Sequence, residues 1–262
     1  MQTEKVVNHI VDWLRDYATK AGVNGFVIGI SGGIDSAVTS TLCAMTGLKV
    51  VCIEMPIHQA ASHVTRAQEH IKYLKDGFDN ISDIHSNLTP VFESFKSEMI
   101  FEGDKATIDL ALANTRARLR MTTLYYYAGL YKLLVAGTGN KVEDFGVGFF
   151  TKYGDGGVDL SPIADLMKSQ IYEIGSFLKI PNSILEAVPS DGLFGDSRSD
   201  EAQIGASYPE LEWAMHMDEI GKTLEDFTGR KQEVFTIYKR FNKANQHKML
   251  PIPICNILKE ML

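Results

Sequence analysis

The stretch that decides the fold is Phe26-Val-Ile-Gly-Ile30, followed at once by Ser31-Gly-Gly-Ile-Asp-Ser36. The first five residues form an apolar run of strand length, and the glycine pair after them predicts a tight turn. Residues 36–45 are predicted to form a helix, which Gly47 ends. A buried strand, a glycine turn and a helix in this order predict the first unit of a parallel α/β sheet.

The same alternation continues along the chain. Further strands are predicted at 48–55, 79–84 and 133–137, and further helices at 6–14, 60–74, 105–131, 168–178 and 233–242. Strands that alternate with helices build a parallel sheet with helices on both faces. Because no repeat, linker or low-complexity tract divides the sequence, we expect one doubly wound α/β domain over residues 1–262.

The amino-acid composition narrows the classes of protein to which this chain can belong. The chain has 262 residues, of which 45% are hydrophobic and 23% charged, as in ordinary globular domains. Its 26 Lys and Arg against 33 Asp and Glu give a net charge of −7, which disfavours a general nucleic-acid binder. An anionic ligand would therefore need a local positive site. The three cysteines show no metal or disulfide spacing, which favours core thiols in a reducing compartment.

The N-terminal residues and the hydropathy of the chain predict the cellular location of the protein. Glu4, Lys5 and Asp12 stand where a signal peptide would need an apolar run. No stretch approaches the ~18 apolar residues of a membrane span. We therefore expect a cytoplasmic protein with neither a membrane nor a nucleic acid as partner.

The glycine turn after the first strand has the chemistry of a phosphate site. Backbone N–H groups of such a turn and the start of the following helix attract anions. The Walker lysine is absent, and Asp35 instead places a carboxylate beside the phosphates, so a bridging Mg²⁺ is expected. The alternative is an ordinary turn in which Asp35 or Ser36 caps the helix. The residues expected to hold phosphates are Gly29, Ile30, Ser31, Gly32, Gly33, Ile34, Asp35 and Ser36.

A second loop is expected to face the first one. Gly137-Thr-Gly-Asn-Lys-Val-Glu143 leaves the last predicted strand. Ligands bind beyond the carboxyl ends of parallel strands, so this loop should border the same crevice. Thr138 could bond a nucleotide and Glu143 could supply a second metal carboxylate. The alternative is a surface turn with a solvated Glu143.

The Ser31–Ser36 string resembles the pyrophosphate loop of the N-type ATP pyrophosphatases. That resemblance implies a Rossmann-like, adenine nucleotide alpha hydrolase-like fold, and cleavage of ATP between its α and β phosphates. Gly148-Phe-Phe-Thr-Lys-Tyr-Gly-Asp-Gly-Gly157 is more specific and resembles the ammonia-dependent NAD⁺ synthetases within that group. The likeness continues in Ala117-Arg-Leu-Arg-Met121, in Asp200-Glu-Ala-Gln-Ile-Gly-Ala-Ser-Tyr208 and in His247-Lys248.

The resemblance implies a role for each matching position. Besides the loop, ATP would contact Thr138, Lys168 and Ser190, where Ser190 replaces the threonine of many relatives. Asp35 and Glu143 would bind Mg²⁺, and Asp155 would form the ammonia site. Catalysis would thus rest on Asp35, Lys168 and Asp155. Deamido-NAD⁺ would contact Arg118, Lys152, Asp159, His247 and Lys248.

The implied reaction is the amidation of deamido-NAD⁺. Its carboxylate would attack ATP to give an acyl-adenylate and pyrophosphate, and ammonia would then release AMP and form NAD⁺, the last step of NAD biosynthesis. The resemblance also implies a homodimer. One alternative is another ATP pyrophosphatase that adenylates XMP or a tRNA base, and another is a nucleotide-binding regulator without catalysis.

Two expectations concern geometry. On a regular helix Arg116 and Arg120 share a face, whereas Arg118 lies about 200° from each. One small ligand therefore cannot receive all three, and a salt bridge is as plausible for Arg116 and Arg120 as a ligand.

The glycines and polar residues of 190–205 suggest a lid over the site.

Overall fold

The chain folds around a parallel sheet. The computed structural model describes residues 1–190 and 199–261. Four parallel strands lie in the order β3-β2-β1-β4 in this part of the chain. Their bounds are Gly25–Gly29 for β1, Lys49–Glu54 for β2, Ile81–His85 for β3 and Leu134–Val135 for β4. In this order the chain reverses direction across the sheet between β1 and β4, which is where open α/β sheets bind ligands.

Helices follow the strands along the chain. The bounds are Thr3–Ala21 for α1, Ile34–Met45 for α2, Ala61–Gly77 for α3, Thr89–Ser97 for α4, Lys105–Tyr131 for α5, Lys168–Phe177 for α6, Asn182–Leu185 for α7, Asp200–Ile204 for α8, Tyr208–Glu219 for α9 and Gly229–Met249 for α10. A single π-helical turn, Val142–Val147, follows β4.

The sheet is covered on both faces, which confirms the doubly wound α/β prediction. Phe26 and Ile28 of β1 pack with the buried residues of α1, α2, α3 and α6. Val27, between them, packs on the opposite face with residues of α4 and α5. This alternation follows from the period-2 geometry of a strand.

A smaller apolar cluster lies beside the sheet core. It joins the π-helical turn to α9 and α10 through buried side chains such as Val147, Leu211 and Phe235. This cluster fixes the segment after β4 and so positions Glu143 near the sheet edge. Among the described residues, no helix is both long enough and apolar enough to cross a membrane.

Some predicted elements differ from the structure. β4 pairs over two residues, and the sheet edge then continues only through a parallel bridge between Ala136 and Leu160. The helix predicted at 233–242 is longer in the structure, where α10 covers Gly229–Met249. The helices α4 and α9 were not predicted, although Pro90 and Pro209 stand in their first turns. Of the predicted lid at 190–205, Asp200–Ile204 is helical and residues 191–198 lie outside the described part.

Candidate active site

A cavity of about 270 Å³ opens at the carboxyl ends of β1 and β4. Its walls include every residue of the predicted phosphate loop except Gly32. The predicted ATP contacts Thr138, Lys168 and Ser190 also line it, as do Glu143 and Asp155. The structure therefore brings together, around one cavity, side chains that are up to about 160 positions apart in the sequence.

The phosphate loop is held in shape by its own hydroxyls. The Ser31 hydroxyl lies 3.0 Å from that of Ser36, and the Ser36 hydroxyl donates to the Gly33 carbonyl at 3.0 Å. The Gly33 amide donates to Ser31 Oγ at 3.2 Å. Gly32 has a φ of +79°, and a Cβ on it would lie 2.6 Å from the carbonyl oxygen of His63. A glycine is therefore required where this turn meets α3.

A buried lysine joins two carboxylates at the cavity wall. Lys168 Nζ lies 2.5 Å from Asp35 Oδ2 and 3.1 Å from Glu143 Oε1. Asp35 lies in the first turn of α2, and Asn140 donates to its other oxygen at 3.2 Å. The Lys168 side chain is only 4% exposed, whereas those of Asp35 and Glu143 are 18% and 19% exposed. The two carboxylates thus share one ammonium and still face the cavity.

Burial and charge act against each other in this group. Burial raises the pKa of the Asp35 carboxyl; Lys168 lowers it, Glu143 raises it, and the net shift is upward. Burial alone would lower the pKa of the Lys168 ammonium, but Asp35 and Glu143 outweigh it and raise that pKa above its usual value. Lys168 therefore remains a cation at neutral pH.

Tyr208 completes this group, and the sequence analysis gave it no role in the site. Its hydroxyl donates to Glu143 Oε1 at 2.6 Å and lies 3.3 Å from Asp200 Oδ2. Its ring centroid lies 4.7 Å from Lys168 Nζ. Burial, Glu143 and then Asp200 raise the pKa of the Tyr208 hydroxyl, so the hydroxyl stays a donor. The sequence feature that could have identified Tyr208 is the segment Asp200–Tyr208, which the sequence analysis used only as part of the resemblance.

Two further carboxyls lie near this group, Asp155 in the glycine-rich loop of residues 148–157 and Asp144 in the π-helical turn. Asp155 faces the cavity and accepts a hydrogen bond from the Thr151 amide at 2.9 Å. Although this residue is exposed to the cavity, the surrounding protein desolvates its carboxyl and raises the pKa to about 6. Asp144, which the sequence analysis did not select, lies close to Gly139. Burial and then the charge of Glu143 raise the pKa of the Asp144 carboxyl to about 7.

The five predicted contacts of deamido-NAD⁺ lie elsewhere, and none of them is among the described residues that line the cavity. Arg118 donates to the Lys152 carbonyl at 3.4 Å, and Lys152 Nζ donates to the His247 carbonyl at 2.5 Å. Lys248 Nζ donates to the carbonyls of Gly148 and Phe150 at 2.5 and 2.7 Å. The bonds of Lys152 and Lys248 join the C-terminal part of α10 to the loop of residues 148–157, and that of Arg118 joins α5 to the same loop.

Asp159 is engaged by the fold itself. It accepts hydrogen bonds from the Tyr125 hydroxyl at 2.9 Å and from the Val135 amide at 2.8 Å. Both of its carboxylate oxygens thus bond protein groups and tie α5 to β4.

Arg118 points away from Arg116 and Arg120, as helix geometry predicted. Arg116 lies over the Phe92 ring at 4.3 Å. Arg120 lines the cavity and donates to the Met55 carbonyl at 3.1 Å and to Gln59 Oε1 at 2.9 Å. Arg118 is exposed on another side.

The described residues hold no ready-made metal centre. In residues 1–190 and 199–261 no three His, Cys, Asp or Glu side chains are grouped so that they alone could hold a metal ion. The Asp35 and Glu143 pair instead offers two carboxylates beside the phosphate loop.

Known proteins share this sequence and this fold. The family model described as NAD synthase matches residues 6–251. The NH(3)-dependent NAD(+) synthetase of Methanosarcina mazei is 37% identical over 97% of this chain and 98% of its own length. The solved NMN synthetase of Francisella tularensis has a TM-score of 0.85 at 31% identity, covering 98% of this chain and 100% of that one. The solved NH3-dependent NAD synthetase of Campylobacter jejuni has a TM-score of 0.77 at 25% identity, with coverages of 98% and 100%. On this sequence match and this fold, the chain belongs to the NAD synthase family.

Proposed function

We propose that this protein is a ligase that amidates deamido-NAD⁺ with ammonia at the expense of ATP, giving NAD⁺, AMP and pyrophosphate. The observation that carries the proposal is the convergence of the phosphate loop, Asp35, Glu143 and Lys168 on one cavity. It is supported by membership of the NAD synthase family and by relatives called NH(3)-dependent NAD(+) synthetase over nearly their full length. This family favours a nicotinate carboxylate as acceptor over XMP or a tRNA base.

The reaction has two chemical steps. A carboxylate oxygen of deamido-NAD⁺ attacks the α-phosphorus of ATP, and the bond to the β-phosphate oxygen breaks. Ammonia then attacks the acyl carbon of the adenylate, and AMP leaves with the carboxylate oxygen. No covalent bond to the enzyme is needed, so positioning and electrostatics supply the catalysis.

The residues at the cavity fit a Mg²⁺ ion. Asp35 and Glu143 both bond one Lys168 ammonium, so oxygens of both carboxylates lie within reach of a common cation. Mg²⁺ in nucleotide sites is generally held by one or two carboxylates together with phosphate oxygens. When bound, it neutralises charge on the phosphates as pyrophosphate departs.

The protein's own groups hold the leaving group and the nucleophile. The amides and hydroxyls of the loop bind the phosphates at the start of α2, and Lys168 adds a positive charge beside them. Asp155 is the proposed site of ammonia. Because the pKa of its carboxyl is raised to about 6, it is ionised at neutral pH and accepts a proton from ammonium.

Binding of deamido-NAD⁺ by Arg118, Lys152, Asp159, His247 and Lys248 remains part of the proposal. Those side chains lie away from the walls of the ATP cavity, which suits a long dinucleotide that spans two regions. The proposed homodimer is supported by α5, which exposes Tyr126 and Leu130 side by side on one face. Analytical ultracentrifugation checks the dimer, and a monomer at micromolar concentration contradicts it.

The proposal extends to the domain organisation of the chain and to the cellular location of the protein. We propose one domain over residues 1–262 and a cytoplasmic location. Cys43 and Cys52 are buried thiols, as expected in a reducing compartment.

A second acceptor is supported by one observation. The solved NMN synthetase matches this structure with a TM-score of 0.85, against 0.77 for the Campylobacter enzyme. We therefore propose nicotinate mononucleotide as the second candidate acceptor, activated by the same chemistry. Steady-state assays with each acceptor, saturating ATP, Mg²⁺ and ammonia rank the two by kcat/KM.

The assay that tests the function measures all products. The purified protein is incubated with ATP, Mg²⁺, deamido-NAD⁺ and ammonia, and we expect equal amounts of NAD⁺, AMP and pyrophosphate. Release of ADP and phosphate would contradict the proposal. A control reaction contains glutamine as the sole nitrogen donor, and we expect it to form no NAD⁺.

A further inference from the structure

The cavity is acidic although its proposed ligand is an anion. Of the charged residues described at its walls, three are cations (Lys168, Arg120 and Arg66). Five are carboxylates, namely Asp35, Glu54, Glu143, Asp155 and Asp200. A triphosphate adds further negative charge. Each cation that can reach the phosphates therefore matters for binding.

Two of the three cations already bond protein groups that hold them. Lys168 is shared between Asp35 and Glu143. Arg120 uses Nε for the Met55 carbonyl and a terminal nitrogen for Gln59. The charge of Lys168 is thus shared with two carboxylates, and Arg120 keeps its charge but already uses Nε and one terminal nitrogen.

Arg66 differs because it is anchored at one end. It lies on α3, is partly buried, and donates from Nε to the carbonyl of Gly32 in the phosphate loop at 3.1 Å. That is its one hydrogen bond within residues 1–190 and 199–261. Its two terminal nitrogens thus keep their N–H groups for a ligand. The two segments also approach closely, since a Cβ on Gly32 would lie 3.1 Å from Arg66 Cβ.

The guanidinium suits a phosphate in this position. Its planar fork of N–H donors matches two oxygens of a phosphate, and anchoring Nε costs none of the terminal donors. The bond to Gly32 places this fork at the loop proposed to bind the phosphates. Holding the side chain in advance also reduces the entropy lost when a ligand binds.

We propose that Arg66 is a phosphate-binding residue that holds the pyrophosphate end of ATP and the departing pyrophosphate. This inference rests on the proposed function, because it requires that the cavity bind ATP. Nothing in the motifs of the sequence selected Arg66. Its partner in the loop is 34 positions away along the chain.

The experiment measures binding, without amidation, by titration calorimetry with ATP, pyrophosphate and AMP. Arg66→Gln removes the charge but keeps an N–H donor for the Gly32 carbonyl. We expect the dissociation constants of ATP and pyrophosphate to rise about 10- to 100-fold, since charge-assisted hydrogen bonds are lost. The dissociation constant of AMP should change less than about twofold, because AMP lacks the β- and γ-phosphates that the proposal assigns to Arg66. Lys72→Ala is the matched control, as Lys72 is on the same helix with a side chain 75% exposed.

The outcomes separate this inference from the function on which it rests. If the wild-type protein binds ATP and Arg66→Gln binds it equally well, Arg66 is not a phosphate ligand and the inference is overturned. If AMP binding weakens as much as ATP binding, the residue only shapes the loop, and the inference is likewise overturned. If the wild-type protein binds no ATP at all, the proposed function fails together with the inference.

Discussion

Replacing Lys168 by methionine removes the cation that two cavity carboxylates share. The side chain is 4% exposed, and methionine has a similar length, so the change deletes charge with little change of volume. Breaking a buried ion pair by removing one partner costs about 3–5 kcal/mol, because the remaining charges are left uncompensated. We expect the free energy of unfolding of Lys168→Met to fall by that amount at neutral pH. The loss should shrink at lower pH, where Asp35, whose carboxyl pKa is raised by burial, takes up a proton.

A double-mutant cycle shows whether the cost comes from the pair. Asp35→Asn removes one of the two unpaired carboxylates, so the double variant should recover about 1–3 kcal/mol relative to the sum of the single changes. Urea unfolding followed by circular dichroism measures all four proteins. Additivity to within about 0.5 kcal/mol would refute the coupling argued here. Turnover should not recover in the double variant, because the positive charge beside the leaving pyrophosphate is still missing.

The remaining predictions concern single positions. Asp35→Asn should lower turnover by ~100-fold or more with the fold intact, and should raise the Mg²⁺ concentration for half-maximal rate; a near-normal rate removes Asp35 from the mechanism. Gly32→Ala should abolish ATP binding in calorimetry, because φ is +79° and the new Cβ meets the His63 carbonyl at 2.6 Å. Burial lowers the pKa of His70 to about 4. As the pH drops below about 6.5, this histidine is protonated in the unfolded chain before it is protonated in the folded one, so the free energy of unfolding decreases. Between pH 7.5 and 5 the wild type should lose about 2 kcal/mol more than His70→Gln in urea unfolding, whereas an equal loss, or the same effect in exposed His9→Gln, would contradict this.

Much of the fold followed from local patterns. The strand and helix on either side of Ser31-Gly-Gly were predicted within two or three residues, because apolar runs, glycine turns and helix stops act locally. Helix α5 was predicted with the bounds that the structure shows. β4 was predicted as five residues and pairs over two, since pairing depends on what the neighbouring segment at Leu160 does. A single sequence holds no local record of such a partner.

The candidate site was predictable where a motif stood next to an element. The phosphate loop, Asp35, Glu143 and Lys168 come together at the sheet edge because parallel strands end there. Tyr208 and Arg66 were not selected, since neither stands in a glycine turn or directly after a predicted strand, and their partners, Glu143 and Gly32, are 65 and 34 positions away. Such contacts follow from the packing of α9 and α3 and not from spacing along the chain.

The central claim is that a carboxylate is activated by adenylation in this cavity. The most direct measurement uses deamido-NAD⁺ labelled with ¹⁸O in its carboxylate, together with ATP, Mg²⁺ and ammonia, and mass spectrometry of the products. If the carboxylate attacks the α-phosphorus, each AMP carries one labelled oxygen and pyrophosphate carries none. Label in inorganic phosphate, with ADP as the other product, would contradict the account.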